Sequence, residues 1–412
     1  MRQRIPRPFL VLAGLIAAAG VLAAGAERQR ARAWLGPAEP VAPGVAKYLV
    51  TDAALVDGQG PIRAYLLELD LDRVELRSVL SNDRVLDAER VDAMAARHQA
   101  VAAVNAGFFV VRTGEPAGVL KVSGELVSDG ALTRGALAIG RPGRRPQRLD
   151  FDQIAARVRL RVTTREGDVL LPVDGVDTTR ERGKLMVYTP SYHTDSDTAA
   201  NGLEWALDGT TGGADRYLVR DIRRDRGRTP IPAGGAVLSY GGLDPPAPLA
   251  GLAVGSRVGI ETVWTTVHGT PARRLDEAWH IVNGAGLLMR AGRAVSNWVA
   301  VEKVNGASFV ETRHPRTLIG VDRRGAVWLV AIDGRQPTRS IGMTFADLVR
   351  LAGRLELRDA LNLDGGGSTT MVVRGETVNT PSDAVGARPV SDAILVVARP
   401  PSGSAFNSSA RE

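Results

Sequence analysis

Cysteine is absent from the 412 residues. That excludes disulfides, thiolate metal sites, cysteine nucleophiles and a lipid-modified N-terminal cysteine. Without such staples a chain of this length must hold itself by its core, and 44% hydrophobic residues suffice for one. Aromatic residues make up only 5%, and none interleaves the Pro/Arg/Gly loop from Arg141 to Arg148. That loop reads as a solvated turn, so nucleic acid is not an expected partner. No H-E-x-x-H, G-x-S-x-G or Walker phosphate loop occurs, and the five histidines are scattered. No cofactor and no metal are therefore expected, although magnesium or calcium held by carboxylates alone stays open.

Lysine is also scarce: nearly all of the 52 basic residues are arginine, and the net charge is +7. Arginine presents a planar fork of donors suited to phosphate, so the balance fits an anionic substrate or an envelope polymer. It fits dispersed, solvated surface charge equally well.

At the N-terminus Arg2, Arg4 and Arg7 precede an uncharged run from Phe9 to Ala24, and Ala24-Gly25-Ala26 offers small residues at a cleavage position. Residues 1–26 read as a signal peptide or an uncleaved membrane anchor, since the run is slightly short of the ~20 residues a span needs. Either way the body is exported, whether periplasmic, cell-envelope or secreted, and a membrane is met only through that segment. Residues 27–46, with Pro37, Pro40 and Pro43, read as a linker. Residues 47–100 are rich in strand signals and 101–398 form the main domain, with a disordered tail at 399–412. The expected fold is mixed α/β (α+β), one catalytic domain with a β-rich N-terminal part.

The chain is organised around Ala360-Leu-Asn-Leu-Asp-Gly-Gly-Gly-Ser-Thr-Thr-Met-Val-Val373. An apolar run ends in Asp364, Gly365, Gly366 and Gly367 follow, then Ser368 and Thr369, and a second apolar run begins. This reads as strand, tight turn, strand, with Asp364 held at a strand end. Consecutive glycines suit a backbone that takes φ > 0 or passes close to a ligand, and their amides can cradle an anion. A T-x-x-D capping pattern at Thr344 opens a helix ahead of it, with Phe345, Leu348, Val349 and Ala352 on one face. The same order recurs upstream: a helical face at Val91, Met94 and Ala95, then the strand Ala100–Val104 running into Asn105-Ala-Gly-Phe-Phe. Two such units suggest two walls of one site.

The blocks Asn105-Ala-Gly-Phe-Phe, Tyr188-Thr-Pro-Ser-Tyr, Arg313-His-Pro-Arg-Thr-Leu-Ile-Gly, Ala331-Ile-Asp-Gly-Arg, Asn362-Leu-Asp-Gly-Gly-Gly-Ser-Thr-Thr-Met and Arg388-Pro-Val-Ser-Asp-Ala resemble, in the same order, the phosphodiester glycosidase family. The chain departs from that pattern with Ala106 where the family usually has glycine and Leu318 where alanine is common. The resemblance implies hydrolysis of a sugar from a glycosyl phosphodiester, on an anionic glycan or sugar-phosphodiester substrate.

Such a reaction has a good leaving group, so it calls less for a strong acid than for positive charge toward the departing phosphate and a carboxylate near the oxocarbenium-like centre. Asp364 is the candidate carboxylate, as nucleophile or as base toward water, with Asp333 or Glu204 as a second. Arg316 and Arg388 are candidates for the phosphate, and Asn105 for the sugar, with the Gly365 to Thr369 turn giving the substrate room. His314 acts as an acid or orients Arg316. Asp195, Asp197, Thr198, Asn201 and Glu204 hint at a calcium loop, but the spacing fails the EF-hand pattern and favours a polar turn. Each candidate also has a plain structural reading as a turn residue, ion-pair partner or cap. An alternative function is a non-catalytic envelope protein holding an anionic polysaccharide in the same groove.

Overall fold

A computed structural model describes residues 32–210 and 216–400. The segment expected to be a signal peptide or anchor, and all but the first two residues of the expected tail, lie outside the described residues. Among the described residues no helix is long and apolar enough to cross a membrane.

The chain is mostly β-sheet, which corrects the expected mixed α/β class. The two helices read from the sequence exist, as Val91–Arg97 and Phe345–Arg354, but the longer has only 10 residues. Between and around them the chain is built from strands in three sheets, antiparallel except where Gly175–Val176 pairs with Leu185–Tyr188. Two helices with one apolar face each are the loudest local signals in a chain whose strands are short and whose pairings are remote. Thr344 forms the full capping box with Asp347, so that helix is specified locally.

One sheet has eight strands, with Ala64–Leu69, Val327–Ile332, Arg316–Asp322 and Leu357–Asn362 adjacent in that order. Val327–Ile332 is buried at every position, as its unbroken apolar run predicts. A second sheet of five strands places Met371–Val373, Ala102–Asn105, Asp392–Ala398 and Val74–Leu80 side by side. One core fills the space between these sheets. Leu66, Leu329 and Leu361 of the first meet Val104, Met371 and Ile394 of the second, with Phe345, Leu348 and Leu351 from the long helix. Each such leucine contributes about 1.5–3 kcal/mol by leaving water. Val79, Ala103 and Leu395 on the other face of the five-stranded sheet pack on Val91, Met94 and Ala95 of the short helix.

The third sheet has twelve strands and curls until its ends approach. The Val176 amide near one end donates to Asp129 Oδ1 near the other (3.1 Å), leaving a nearly closed barrel. Its longest strand, Leu149–Thr164, carries the alternation expected around Arg157: Val158, Leu160 and Val162 point into the barrel core while Arg157 and Arg159 are exposed.

Two boundaries read from the sequence change. Glu39–Ala42, inside the expected linker, is a strand pairing with Val45–Val50 at the edge of the eight-stranded sheet, a place where the missing amide of Pro40 costs no ladder bond. Arg399, placed in the expected tail, is buried and donates through Nε to the Val74 carbonyl (2.8 Å). The division expected at residue 100 is crossed by both smaller sheets, since Ala64–Leu69 pairs with Val327–Ile332 and Val74–Leu80 with Asp392–Ala398.

Candidate active site

The Asp364 turn carries the chain from Leu357–Asn362 in the eight-stranded sheet to Met371–Val373 in the five-stranded one. It is a crossing between sheets, where the sequence alone reads equally as a hairpin. Asn105 closes a strand beside it, Asp392 opens another, and Asn283 ends His280–Asn283 of the barrel sheet. All three sheets meet here.

Backbone bonds set the order of the walls. The Asp364 amide donates to the Ala106 carbonyl (2.9 Å), and the Ala106 amide donates to the Asp392 carbonyl (3.2 Å). Asp364 and Asp392 are thus one strand position apart on either side of Ala106. Asp364 is half-buried, and its Oδ1 accepts the Gly365 amide (2.8 Å). Burial raises its carboxyl to about 6, against the opposing pull of the nearby Ser368 hydroxyl, the Gly365 amide and the Arg388 guanidinium. Asp392 is buried, and its Oδ1 accepts from the Gly107 amide (2.9 Å) and the Ser391 hydroxyl (3.0 Å). Burial raises this carboxyl too, to about 6, and the charge of Asp364 adds to the rise.

Among the described residues several buried polar atoms around this pair have no hydrogen-bond partner: Asp392 Oδ2, Asn283 Nδ2, Asn362 Oδ1, and the hydroxyls of Thr369 and Thr370. Buried polar groups are ordinarily bonded, and a cluster of orphans marks a place built for water or a ligand. Gly107 keeps it open. A Cβ there would lie 2.6 Å from Asn283 Nδ2 and 3.2 Å from Asp392 Oδ1.

The glycine turn is tight for reasons that differ by position. Gly366 sits at φ +60, a Cβ on Gly365 would lie 2.7 Å from the Pro315 carbonyl, and one on Gly367 would collide with Arg388 and Asp383. The expected amide cradle is not formed. Gly365 donates to the Asp364 side chain, Gly366 to the Pro315 carbonyl (2.9 Å), and Ser368 and Thr369 back to Gly365 and Gly366. Arg388 is at the site, half-exposed and paired with Asp383 (2.8 Å).

The other candidates are held in contacts within the protein. Asn105 is fully buried; its Nδ2 donates to the Asp364 carbonyl (2.8 Å), and its Oδ1 accepts from Thr317 Oγ1 (2.7 Å) and the Thr370 amide (3.1 Å). It positions the turn. Arg316 is buried between the rings of Phe309 and Phe345 and donates to the Met343, Phe309 and Thr312 carbonyls. Burial and the neighbouring Arg335 bring its guanidinium down to about 9. Asp333 is also buried; its Oδ1 accepts the Thr380 amide (2.8 Å) and Asn379 Nδ2 (3.3 Å), which fixes the loop behind Thr369. Glu204 lies in the barrel sheet, fully buried, accepting from Thr198, Ser239 and Thr229. Beside it Arg228 bonds both Asp195 and Asp197, so the hinted calcium loop is a polar turn closed by a guanidinium. His314 is half-buried: Nε2 is 2.8 Å from the Ser308 carbonyl, and Nδ1 lies 3.3 Å from Arg335.

Asp392 and Asn283 are the residues that sequence reasoning passed over. Asp392 stood in the quoted block that begins at Arg388, and Asn283 lies before Gly284 and Gly286. The backbone amides of Gly284, Ala285 and Gly286 are all engaged within the protein. The Asn283 side chain holds the free donor.

Comparison with known proteins adds the family. A model described as phosphodiester glycosidase matches residues 214–397. The matched segment, less than half of the chain, contains Asn283, Arg316, Asp333, Asp364, Arg388 and Asp392, while Asn105 and Glu204 precede it. The N-acetylglucosamine-1-phosphodiester alpha-N-acetylglucosaminidase of Mus musculus is 31% identical over 105 residues, 26% of this chain and 20% of that protein. The Homo sapiens enzyme of the same name is 32% identical over 105 residues, again 26% and 20%. The chain thus spans a fifth of the length of these relatives. Among solved structures, a hypothetical protein from Synechocystis shares the fold at TM-score 0.71 and 23% identity, over 88% of this chain and 64% of that one. A protein from Burkholderia pseudomallei K96243 matches at TM-score 0.67 and 25% identity, over 82% and 74%.

Proposed function

We propose that the protein is an exported hydrolase that releases a sugar from a glycosyl phosphodiester, leaving a phosphomonoester. Water adds to the anomeric carbon, the bond from that carbon to the phosphate oxygen breaks, and the phosphomonoester leaves with the electron pair. Asp364 takes the proton from the attacking water. A carboxyl raised to about 6 is half-way between a weak base and an idle one, which suits a general base working near neutral pH. Positive charge beside the turn favours the departing phosphate, and the unpaired hydroxyls and the Asn283 amide offer partners to the sugar.

The observation that carries this reading is the partly buried Asp364 carboxyl beside buried polar atoms that lack a partner among the described residues. The family of the segment and the activity named for the mouse and human relatives support it. Export is supported by the basic-then-apolar N-terminal stretch and by the Burkholderia neighbour, named as a candidate exported protein. Envelope or extracellular glycans are the substrates such a protein meets. The test is to incubate purified protein with a nucleotide sugar and a panel of synthetic glycosyl phosphodiesters and to measure free sugar. Release supports the reading; binding of anionic polysaccharide without release from any member of the panel favours a non-catalytic role.

A further inference from the structure

Arg316 is buried, with its Nε and Nη2 committed to three backbone carbonyls, which leaves open which group meets the substrate phosphate. We propose that Arg335, oriented by His314, forms the phosphate-binding subsite of this site; the inference rests on the proposed function for the identity of the substrate but not for the binding itself.

Arg335 follows Asp333-Gly334 at the end of the strand Val327–Ile332 and is exposed. Its backbone takes φ 60, a left-handed conformation that arginine adopts at some cost, and its side chain lies against the glycine turn. A Cβ on Gly366 would be 3.0 Å from one terminal nitrogen of the guanidinium and 3.3 Å from the other. The missing side chain at Gly366 is what lets the guanidinium lie there. Gly366 is two residues from Asp364, so the turn puts the two within about 7 Å of backbone reach.

Among the described residues most arginines near this turn have a carboxylate: Arg388 has Asp383, Arg313 has Asp347 and Arg339 approaches Asp333. Arg335 has no carboxylate in ion-pair range, and its one side-chain partner is His314 Nδ1 at 3.3 Å. The histidine is itself fixed. Its Nε2 faces the Ser308 carbonyl at 2.8 Å, which requires a proton on Nε2 and leaves Nδ1 to accept from Arg335. His314 is therefore a neutral anchor for one corner of the guanidinium, and among the described residues the remaining donors of the fork have no acceptor. Arg316, buried just behind, is a second cation: the charge of Arg335 opposes its own, and Asp347 offsets it only in part. An exposed guanidinium, oriented by a fixed acceptor and backed by another cation, is suited to a dianionic or monoanionic phosphate that it can grip with two parallel bonds.

Titration calorimetry of the full chain with inorganic phosphate and with methyl phosphate tests this. The wild type binds both; Arg335→Ala weakens them roughly 10- to 100-fold, the range for losing charge-assisted bonds. Arg335→Lys retains part of the affinity without the paired geometry, and His314→Ala gives a smaller loss than Arg335→Ala. The exposed position of Arg335 keeps the fold intact, which matching circular dichroism and melting curves verify. Wild-type affinity in a folded Arg335→Ala protein overturns the proposal, as does absence of phosphate binding by the wild type. If phosphodiesters are hydrolysed yet Arg335→Ala changes neither phosphate affinity nor KM, only the subsite is wrong. Phosphate binding that needs Arg335 without any hydrolysis leaves the subsite standing and removes the proposed activity.

Discussion

Replacing Asn105 separates a residue that holds the site from one that touches the sugar. In the native protein its amide satisfies three groups, the Asp364 carbonyl at 2.8 Å, the Thr317 hydroxyl at 2.7 Å and the Thr370 amide at 3.1 Å. Asn105→Ala leaves all three without that partner. A buried group stripped of its bond costs about 1–3 kcal/mol, so three give about 3–9 kcal/mol, with the lower half favoured because the Asp364 turn is only partly buried and water can reach it. Asn105→Asp keeps both acceptor contacts and sets an oxygen against the Asp364 carbonyl, so its loss is smaller but directed at the catalytic turn. Urea denaturation reads the first effect as a drop in midpoint at unchanged slope. Kinetics on the folded fraction read the second as a fall in kcat larger than the rise in KM. A folded Asn105→Ala protein with native stability and only a raised KM would refute the reasoning, because that is how a pure sugar contact behaves.

Other outcomes follow from the same contacts. Asp392 has a folded carboxyl raised to about 6 against about 3.9 in the unfolded chain. The folded state therefore holds the extra proton between those values, and stability falls as pH rises through that window. Asp392→Asn should then raise the unfolding midpoint at pH 7.5 but hardly at pH 4, and an equal effect at both pH values contradicts the assignment. Glu204→Gln should lower stability by about 1–3 kcal/mol through a weaker acceptor set while kcat on the folded protein stays native; lost activity at native stability would place Glu204 back in the chemistry. Arg316→Lys should lower the melting temperature, because three carbonyls lose a fitted donor, and leave the affinity for inorganic phosphate unchanged. A large drop in that affinity without a drop in melting temperature would make Arg316 a ligand after all.

The sequence made the Asp364 turn visible because three consecutive glycines between apolar runs have few purely structural uses, and the turn does lie where the sheets meet. It also marked the helix after Thr344 and the alternation around Val158, both of which are decided by neighbours within a turn or two. The class of the fold was misread because sheet pairing is remote: Ala64–Leu69 finds its partner at Val327–Ile332, and no local pattern records that. Arg316 and Asn105 share the site's surroundings but face inward, and residue type does not reveal which way a strand-end side chain turns. A carboxylate such as Glu204, satisfied by three hydroxyls that converge from Thr198, Thr229 and Ser239, looks catalytic until those partners are seen. Asp392 shows the opposite error, since nothing in Val-Ser-Asp-Ala announces that one of its oxygens is left bare beside Asp364.

Everything turns on whether the Asp364 carboxyl does chemistry, and one comparison addresses it: the pH dependence of kcat/KM for a glycosyl phosphodiester in the wild type and in Asp364→Asn. The wild-type rate should climb through about pH 6 as the carboxyl ionises. The isosteric amide, folded and still binding phosphate, should lose at least ~100-fold in kcat/KM, the lower end of what a positioned base supplies, together with that rise. An amide variant that turns over at the native rate, or keeps the climb near pH 6, contradicts the account.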